Sequence, residues 1–393
     1  MLTNEQMTVI TSTVPVLEEH GVKVTTRFYR QLFNDHPELL NLFNHVNQET
    51  GDQPKALAYS LYQAASNIEN LESILPVVKQ IAHKHRSIGV KEEHYPIVGE
   101  YLLQAMQDEL GLNSDDPVIE AWGAAYGIIA DVFIQVEKEM YEQAGWDGFR
   151  EMKVSSKVRE SDEIYSFYFS PADGGPLPLF QPGQYISIEA SIPGEKYRHI
   201  RQYSLSDAPG KNHYRISVKR ENNPEGIVSN YLHDQVNAED SIYISAPAGD
   251  FTVKEAHSPL ILISGGVGVT PLLSMYKRVR ESQPERPVTF VQAVRNENVH
   301  GLAEEIHVLK EDSHIRHIVC YEEPENIDAG DFKGRLTPEA LASFLPQEQA
   351  EYYLCGPELF MQSVYDMLKD LGISSNQISY EFFGPTMTLV ENK

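Results

Sequence analysis

The sequence predicts a multidomain chain: an all-α domain, then an antiparallel β-barrel, then an α/β domain on a parallel sheet. Three observations carry this reading. Apolar residues recur at helical spacing to about residue 146, two-residue alternation broken by Pro/Gly turns takes over near Lys153, and short apolar runs alternate with helical stretches from about Pro259. At 393 residues the chain has room for two or three separate cores. The expected domains are 1–147, 151–256 and 257–393.

In the first domain the clearest helix is "DDPVIEAWGAAYGIIADVFIQVEKEMY". Val118, Trp122, Ala125, Ile129, Val132 or Phe133, Val136 and Met140 form its stripe, Asp115 or Asp116 can cap it, and Pro117 suits its first turn. A second helix follows Pro76 in "LPVVKQIAHKHRSIG". Val78, Ile81, Ala82 and His85 share one face there, and His83 is expected to point away. A lone histidine on an apolar stripe is either a satisfied core residue or a ligand, and the helix alone leaves both open.

In the middle domain "EIYSFYFS", "QYISIEA", "YRISVKR" and "SIYISAP" read as strands separated by turns such as "PADGGP" and "QPGQ". The stretch "RQYSLSD" places Arg201, Gln202, Tyr203 and Ser204 on an edge that offers an aromatic for stacking, a cation for phosphate and a hydroxyl for ring heteroatoms. The same stretch also serves as an ordinary strand. In the last domain "LILISGGVGVTPLL" sets Gly265, Gly266 and Gly268 between a buried strand and a helix, where backbone N–H groups favour a pyrophosphate. Pro271 stands where a full GxGxxG has its third glycine, and no acidic residue is clearly placed for a ribose hydroxyl.

Composition narrows the partners. The formal net charge is −25, with 10 Lys+Arg against 22 Asp+Glu in residues 1–150 and 22 against 35 in the rest, so the acidity is evenly spread and no basic face is left for nucleic acid or anionic lipid. The first twenty residues lack a basic leader and an apolar core, and the longest apolar run is shorter than the ~20 residues that span a bilayer. Two cysteines, Cys320 and Cys355, fit a reducing compartment. A cytoplasmic protein is expected, and its oligomeric state stays open.

Four ordered motifs, "RQYS", "GIVSNYLHD" with "SAPAGDF", "SGGVGVTP" and "YLCGP", resemble the flavin and nicotinamide modules of the ferredoxin-reductase family. That resemblance implies that Tyr185, Arg201, Gln202, Tyr203 and Ser204 contact FAD, with Gly226, Val228 and Ser229 at its pyrophosphate. It further implies that Gly265, Gly266, Val267, Gly268, Val269 and Thr270 bind NAD(P)H, and that Cys355, Gly356 and Pro357 border the nicotinamide. In "YEFFGP", Phe382, Phe383, Gly384 and Pro385 would lie along the flavin, with Glu381 reaching onward.

Such a flavin needs a one-electron acceptor. Residues 1–150 contain no cysteine, which excludes an iron–sulfur cluster there and makes a one-histidine haem the economical alternative. "TTRFYRQLFNDHPELLNLFNHVN" resembles the globin helix corner, with Pro37 opening a short turn and Phe43 placed to wedge against haem. The whole chain thus resembles the flavohaemoglobins of bacteria and yeast. The resemblance implies haem b, FAD and NAD(P)H as cofactors, and His85 as the axial iron ligand. Tyr29 and Gln53 would be the distal residues, Tyr95 and Glu137 a hydrogen-bonded group behind His85, and Lys84 a haem-to-flavin coupling residue with Glu381. It implies consumption of nitric oxide with oxygen and NAD(P)H to give nitrate; the rival readings are an oxygen or nitric oxide carrier or sensor and a general diaphorase.

Overall fold

The computed structural model describes residues 2–43, 48, 50–307 and 314–384. The chain divides into two compact units: Met1–Phe149 with Glu189–Arg201, and Arg150–Ile188 with Gln202–Lys393.

The first unit is helical: α1 (Asn4–Ser12), α2 (Val14–Asp35), α3 (Asp52–Ser66), α4 (Leu75–Ile88), α5 (His94–Leu110) and α6 (Pro117–Gln143), with a short 3-10 turn at Pro37–Asn41. Their ends follow local chemistry. Thr3 and Gln6 close a capping box on α1, α2 stops before Pro37, and the Asp116 carboxylate accepts from Val118 N–H at the start of α6. The core gathers Ile10, Leu17, Val24, Phe28, Leu32, Leu102, Met106, Trp122 and Ala125, and a side chain of this kind contributes about 1.5–3 kcal/mol when fully buried. Trp122 satisfies its indole N–H on the Thr13 hydroxyl at 3.2 Å.

The structure corrects one sequence expectation. In α6 the fully buried positions are Ile119, Ala121, Trp122, Ala125, Ala130 and Glu137, while Val118, Ile129, Phe133, Val136 and Met140 are only half-buried. In its lower half α6 presents both the Phe133 ring and the Glu137 carboxylate to His85 of α4. His83 is half-buried, as His85 is. By length and composition α6 could cross a membrane, yet it packs against α1, α4 and α5, and its buried face belongs to this helical unit.

Two six-stranded sheets make up the rest of the fold, and of their residues only 149, 189–190 and 199–201 group with the first unit. The first has β1 (Phe149–Arg159), β2 (Ile164–Pro171), β3 (Tyr185–Ala190), β4 (His199–Ser204), β5 (Tyr214–Lys219) and β6 (Ser241–Ser245) in the order β4-β3-β6-β1-β2-β5. Antiparallel pairing runs through β1–β2 and β2–β5, and an antiparallel bridge from Leu205 to Ile216 brings the two edge strands together. Its first strand starts at Phe149, four residues before the change of texture read from the sequence. The helix α7 (Ile227–Asp234) follows β5.

The second sheet is parallel: β7 (Leu260–Gly265), β8 (Val288–Val294), β9 (Ile315–Tyr321), β10 (Phe332–Lys333), β11 (Glu351–Cys355) and β12 (Ile378–Glu381), ordered β10-β9-β8-β7-β11-β12. Helices α8 (Val269–Ser282), α9 (Ala303–His307), α10 (Pro338–Phe344) and α11 (Glu358–Asp370) make the crossovers. Every residue of β7 is buried, because helices cover both faces of a parallel sheet. After β7 the chain runs outward to β8, β9 and β10, then returns to the other side of β7 as β11. That reversal opens a crevice at the carboxyl ends of β7 and β11, where α/β sheets bind their ligands.

Candidate functional site

In the helical unit the residues expected around a haem form two groups. Behind His85 of α4, Nδ1 lies 2.7 Å from Glu137 Oε1 and 3.2 Å from the Tyr95 hydroxyl, and that hydroxyl donates to the same Glu137 oxygen at 2.6 Å. Glu137 is 3% exposed, so its carboxylate depends on these donors. An acceptor-only carboxylate places the imidazole proton on Nδ1, and this leaves the Nε2 lone pair available to a metal. Burial and then the Glu137 charge push the Tyr95 phenol far above its ordinary range, so it stays a donor.

The second group is Tyr29 of α2 with Gln53 in the first turn of α3. Gln53 Nε2 donates to the Tyr29 hydroxyl at 3.3 Å, and Tyr29 packs among Phe28, Phe33 and Phe43 with ring centroids 4.7, 5.6 and 5.7 Å away. Burial raises the Tyr29 phenol to about 12, although the Gln53 hydrogen bond pulls the other way. It is therefore a neutral donor, and no acceptor for its proton stands among the described residues. Lys84, beside His85, is desolvated enough that its ammonium is weakened by burial.

Sequence reasoning missed two supports. The Tyr126 hydroxyl donates to the Tyr95 carbonyl and the Tyr141 hydroxyl to the Val90 carbonyl, both at 2.7 Å, pinning the backbone that carries Tyr95. Helical spacing marks these tyrosines as half-apolar but cannot show which carbonyl each will meet. Among the described residues no group of three or more His, Cys, Asp and Glu side chains could hold a metal ion. A metal bound by His85 must arrive with its own donors, as iron does in porphyrin.

In the second unit, Tyr185 opens β3 and exchanges backbone hydrogen bonds with Ala248, both at 2.9 Å. Strand β4, at the sheet edge, carries Arg201, Gln202, Tyr203 and Ser204. Gln202 is engaged in structure: its amide donates to Ser187 Oγ at 3.1 Å, and Arg201 donates to the Ile200 carbonyl at 2.8 Å. Gly226 caps α7, Val228 is buried and Ser229 turns its hydroxyl back to the Gly226 carbonyl at 3.3 Å. A Cβ on Gly226 would lie 2.3 Å from Ser229 Oγ, so a larger residue would displace that hydroxyl.

At the crevice, Gly265, Gly266 and Val267 lead through Gly268 into α8, which begins at Val269 with Thr270 and Pro271 in its first turn. A Cβ on Gly268 would sit 2.1 Å from the Cys355 carbonyl, so this turn and the Cys355–Gly356 turn close upon each other only because no side chain intervenes. Cys355 registers against Glu381 across β11 and β12, and burial with the Glu381 charge pushes its thiol well above the ordinary range. Burial, then the charge of Asp250, raises the Glu381 carboxyl to about 8, and its Oε2 is buried without a hydrogen-bond partner among the described residues. Phe382 packs on Tyr380 with centroids 5.6 Å apart, Phe383 and Gly384 are exposed, and Pro385 lies outside the described residues.

These features fit the cofactors. One imidazole is set up as a single ligand, the Gly266 position at the end of β7 has open space where a Cβ would stand, and an orphaned carboxyl oxygen lies near the same strand ends.

Comparison with known proteins agrees with each part. Residues 26–133 match the globin family, 151–253 the oxidoreductase FAD-binding domain and 262–366 the oxidoreductase NAD-binding domain. A flavohemoprotein from Bacillus cereus is 50% identical over 403 aligned positions, covering 99% of this chain and 100% of the relative. One from Bacillus subtilis is 48% identical over the full length of both. The crystal structure of a Malassezia yamatoensis flavohemoglobin with bound FAD and heme superposes with a TM-score of 0.87 at 28% identity, covering 98% of this chain and 100% of that one. The FAD/NAD-binding domain of a Vibrio cholerae nitric oxide dioxygenase gives 0.56 at 39% identity, over 59% of this chain and 97% of that one. With a globin, a flavin module and a nicotinamide module in one chain, and with full-length relatives at this level of identity, the protein belongs to the flavohemoprotein family of oxidoreductases and takes haem, FAD and NAD as its cofactors.

Proposed function

We propose that this oxidoreductase is an NAD(P)H-dependent nitric oxide dioxygenase that removes nitric oxide as nitrate. The observation that carries the reading is the joint occurrence, in one helical unit, of an imidazole anchored on a buried carboxylate and a buried neutral phenol. When bound, FAD and NAD(P)H supply reducing equivalents and the haem supplies an iron that takes up dioxygen.

The protein's own groups do the rest. Glu137 and Tyr95 hold the His85 ring in one tautomer and strengthen it as the donor that would hold the haem iron. Tyr29, oriented by Gln53, would donate to the negative charge that builds on substrate oxygen, from a buried position where such a hydrogen bond counts for most. That strong donor also disfavours a carrier, since it slows release of oxygen. The name of the Vibrio cholerae relative, a nitric oxide dioxygenase, supports the assignment for the reductase half.

Electron balance makes the test quantitative. Nitric oxide plus dioxygen plus one electron gives nitrate, so each two-electron NAD(P)H serves two nitric oxide molecules. With excess oxygen and NADH, an electrode should record nitric oxide loss matched one to one by nitrate and two to one by NADH. Nitric oxide consumption absent, or not accompanied by nitrate, would remove the proposal.

A further inference from the structure

A buried ionic network outside the cofactor motifs joins the strand that carries the flavin contacts to the helix that opens at the nicotinamide turn. Asp207 follows directly from β4, three residues after Ser204. On α8, Thr270, Ser274 and Lys277 fall at i, i+4 and i+7, one face of the helix. Ser274 Oγ donates to the Asp207 carbonyl at 2.7 Å and Lys277 Nζ to its carboxylate at 2.8 Å. Lys211 and the Ala208 N–H donate to the same carboxylate at 3.0 and 2.9 Å, and His213 Nε2 lies 3.2 Å from it.

Arg215 of β5 completes the circuit. Its Nε donates to Ser206 Oγ at 3.1 Å, and its guanidinium also engages the Ser206 carbonyl and Glu305 of α9, which in turn pairs with Lys277. Arg215 is 2% exposed and Asp207 5%. Burial opposes the charge on Asp207, but the Lys277 hydrogen bond and the charges of Arg215 and Lys277 outweigh it and hold the carboxyl well below the usual range.

Charges buried this deeply carry a desolvation penalty that apolar packing would avoid, so their return is directional: they permit one register between the parts they join. The geometry points to Asp207 as a positioning residue for hydride transfer, locking Thr270 and the dinucleotide turn at a fixed approach to Tyr203 and Ser204 on the flavin strand. This rests on the reductase reading of the second unit. Displacements near 1 Å in such an arrangement cost about 10²-fold in rate while leaving much of the binding intact.

The test is anaerobic stopped-flow reduction of the flavin by NADH in the full-length holoprotein, comparing wild type, Asp207→Asn and Lys277→Met. Both variants should lose at least about tenfold in limiting rate with the NADH dissociation constant changed less than about threefold, within the cost set by a misplaced reactant. The long-wavelength charge-transfer absorbance of nicotinamide stacked on flavin should weaken in step. Lys277, 18% exposed against 6% for the Asp207 side chain, carries the test if Asp207→Asn does not fold. Wild-type rates and charge-transfer bands in both variants, or a defect confined to the dissociation constant, would overturn the inference. Failure of wild-type flavin to be reduced by NADH at all would instead strike the reductase reading.

Discussion

At the scale of the residue, function depends on where single protons are held. His85 is usable as a ligand because Glu137 accepts a hydrogen bond from its Nδ1–H, and the Tyr95 hydroxyl supplies a second donor to the same buried carboxylate oxygen. Removing one partner would leave a buried group unpaired, which ordinarily costs about 1–3 kcal/mol. Glu381 is the opposite case, a carboxyl kept neutral by burial beside Cys355. Its raised value has a stability consequence. The unfolded chain ionises this group from about 4.5 while the folded protein holds the proton to about 8, so its contribution is complete below the lower value and is lost as pH rises to the upper one. Urea midpoints of the wild type should therefore fall more between these limits than those of Glu381→Gln; parallel pH profiles would show that the carboxyl ionises freely in the folded protein.

At the scale of the element, backbone approach decides. Gly268 lets the end of β7 close against the Cys355 turn of β11, and Gly268→Ala would drive a methyl into a carbonyl. Overpacking of this kind costs about 1–3 kcal/mol, so the urea midpoint of the second unit, followed by flavin fluorescence, should drop while the haem spectrum stays unchanged. An unaltered midpoint would mean that the two turns separate easily.

Much of this architecture could be read from the chain. The all-buried β7 announced a parallel sheet, the alternation of β2 a half-buried strand, and Asp116 with Pro117 the start of α6. The rest depended on contacts that no local pattern encodes. The burial of Glu137 overrode the aliphatic stripe of α6, and the start of β1 at Phe149 preceded any alternation. Tyr126 and Asp207 acquire their roles only when distant elements meet.

At the scale of the whole molecule, the sequence contains three chemistries in the order electrons need to be handled: a dinucleotide turn, a flavin sheet and a single-histidine helical core, here arranged from the carboxyl end to the amino end. Each is incomplete as an oxidoreductase by itself. The central claim is that His85, held by Glu137 and Tyr95, is the protein's hold on haem, beside an independent flavin reductase. The absorption spectrum of purified His85→Ala protein, produced with ample porphyrin precursor beside the wild type, tests it most directly. The intense haem band should disappear while the flavin bands remain at wild-type strength; an undiminished haem band in the variant would mean that His85 does not hold the haem.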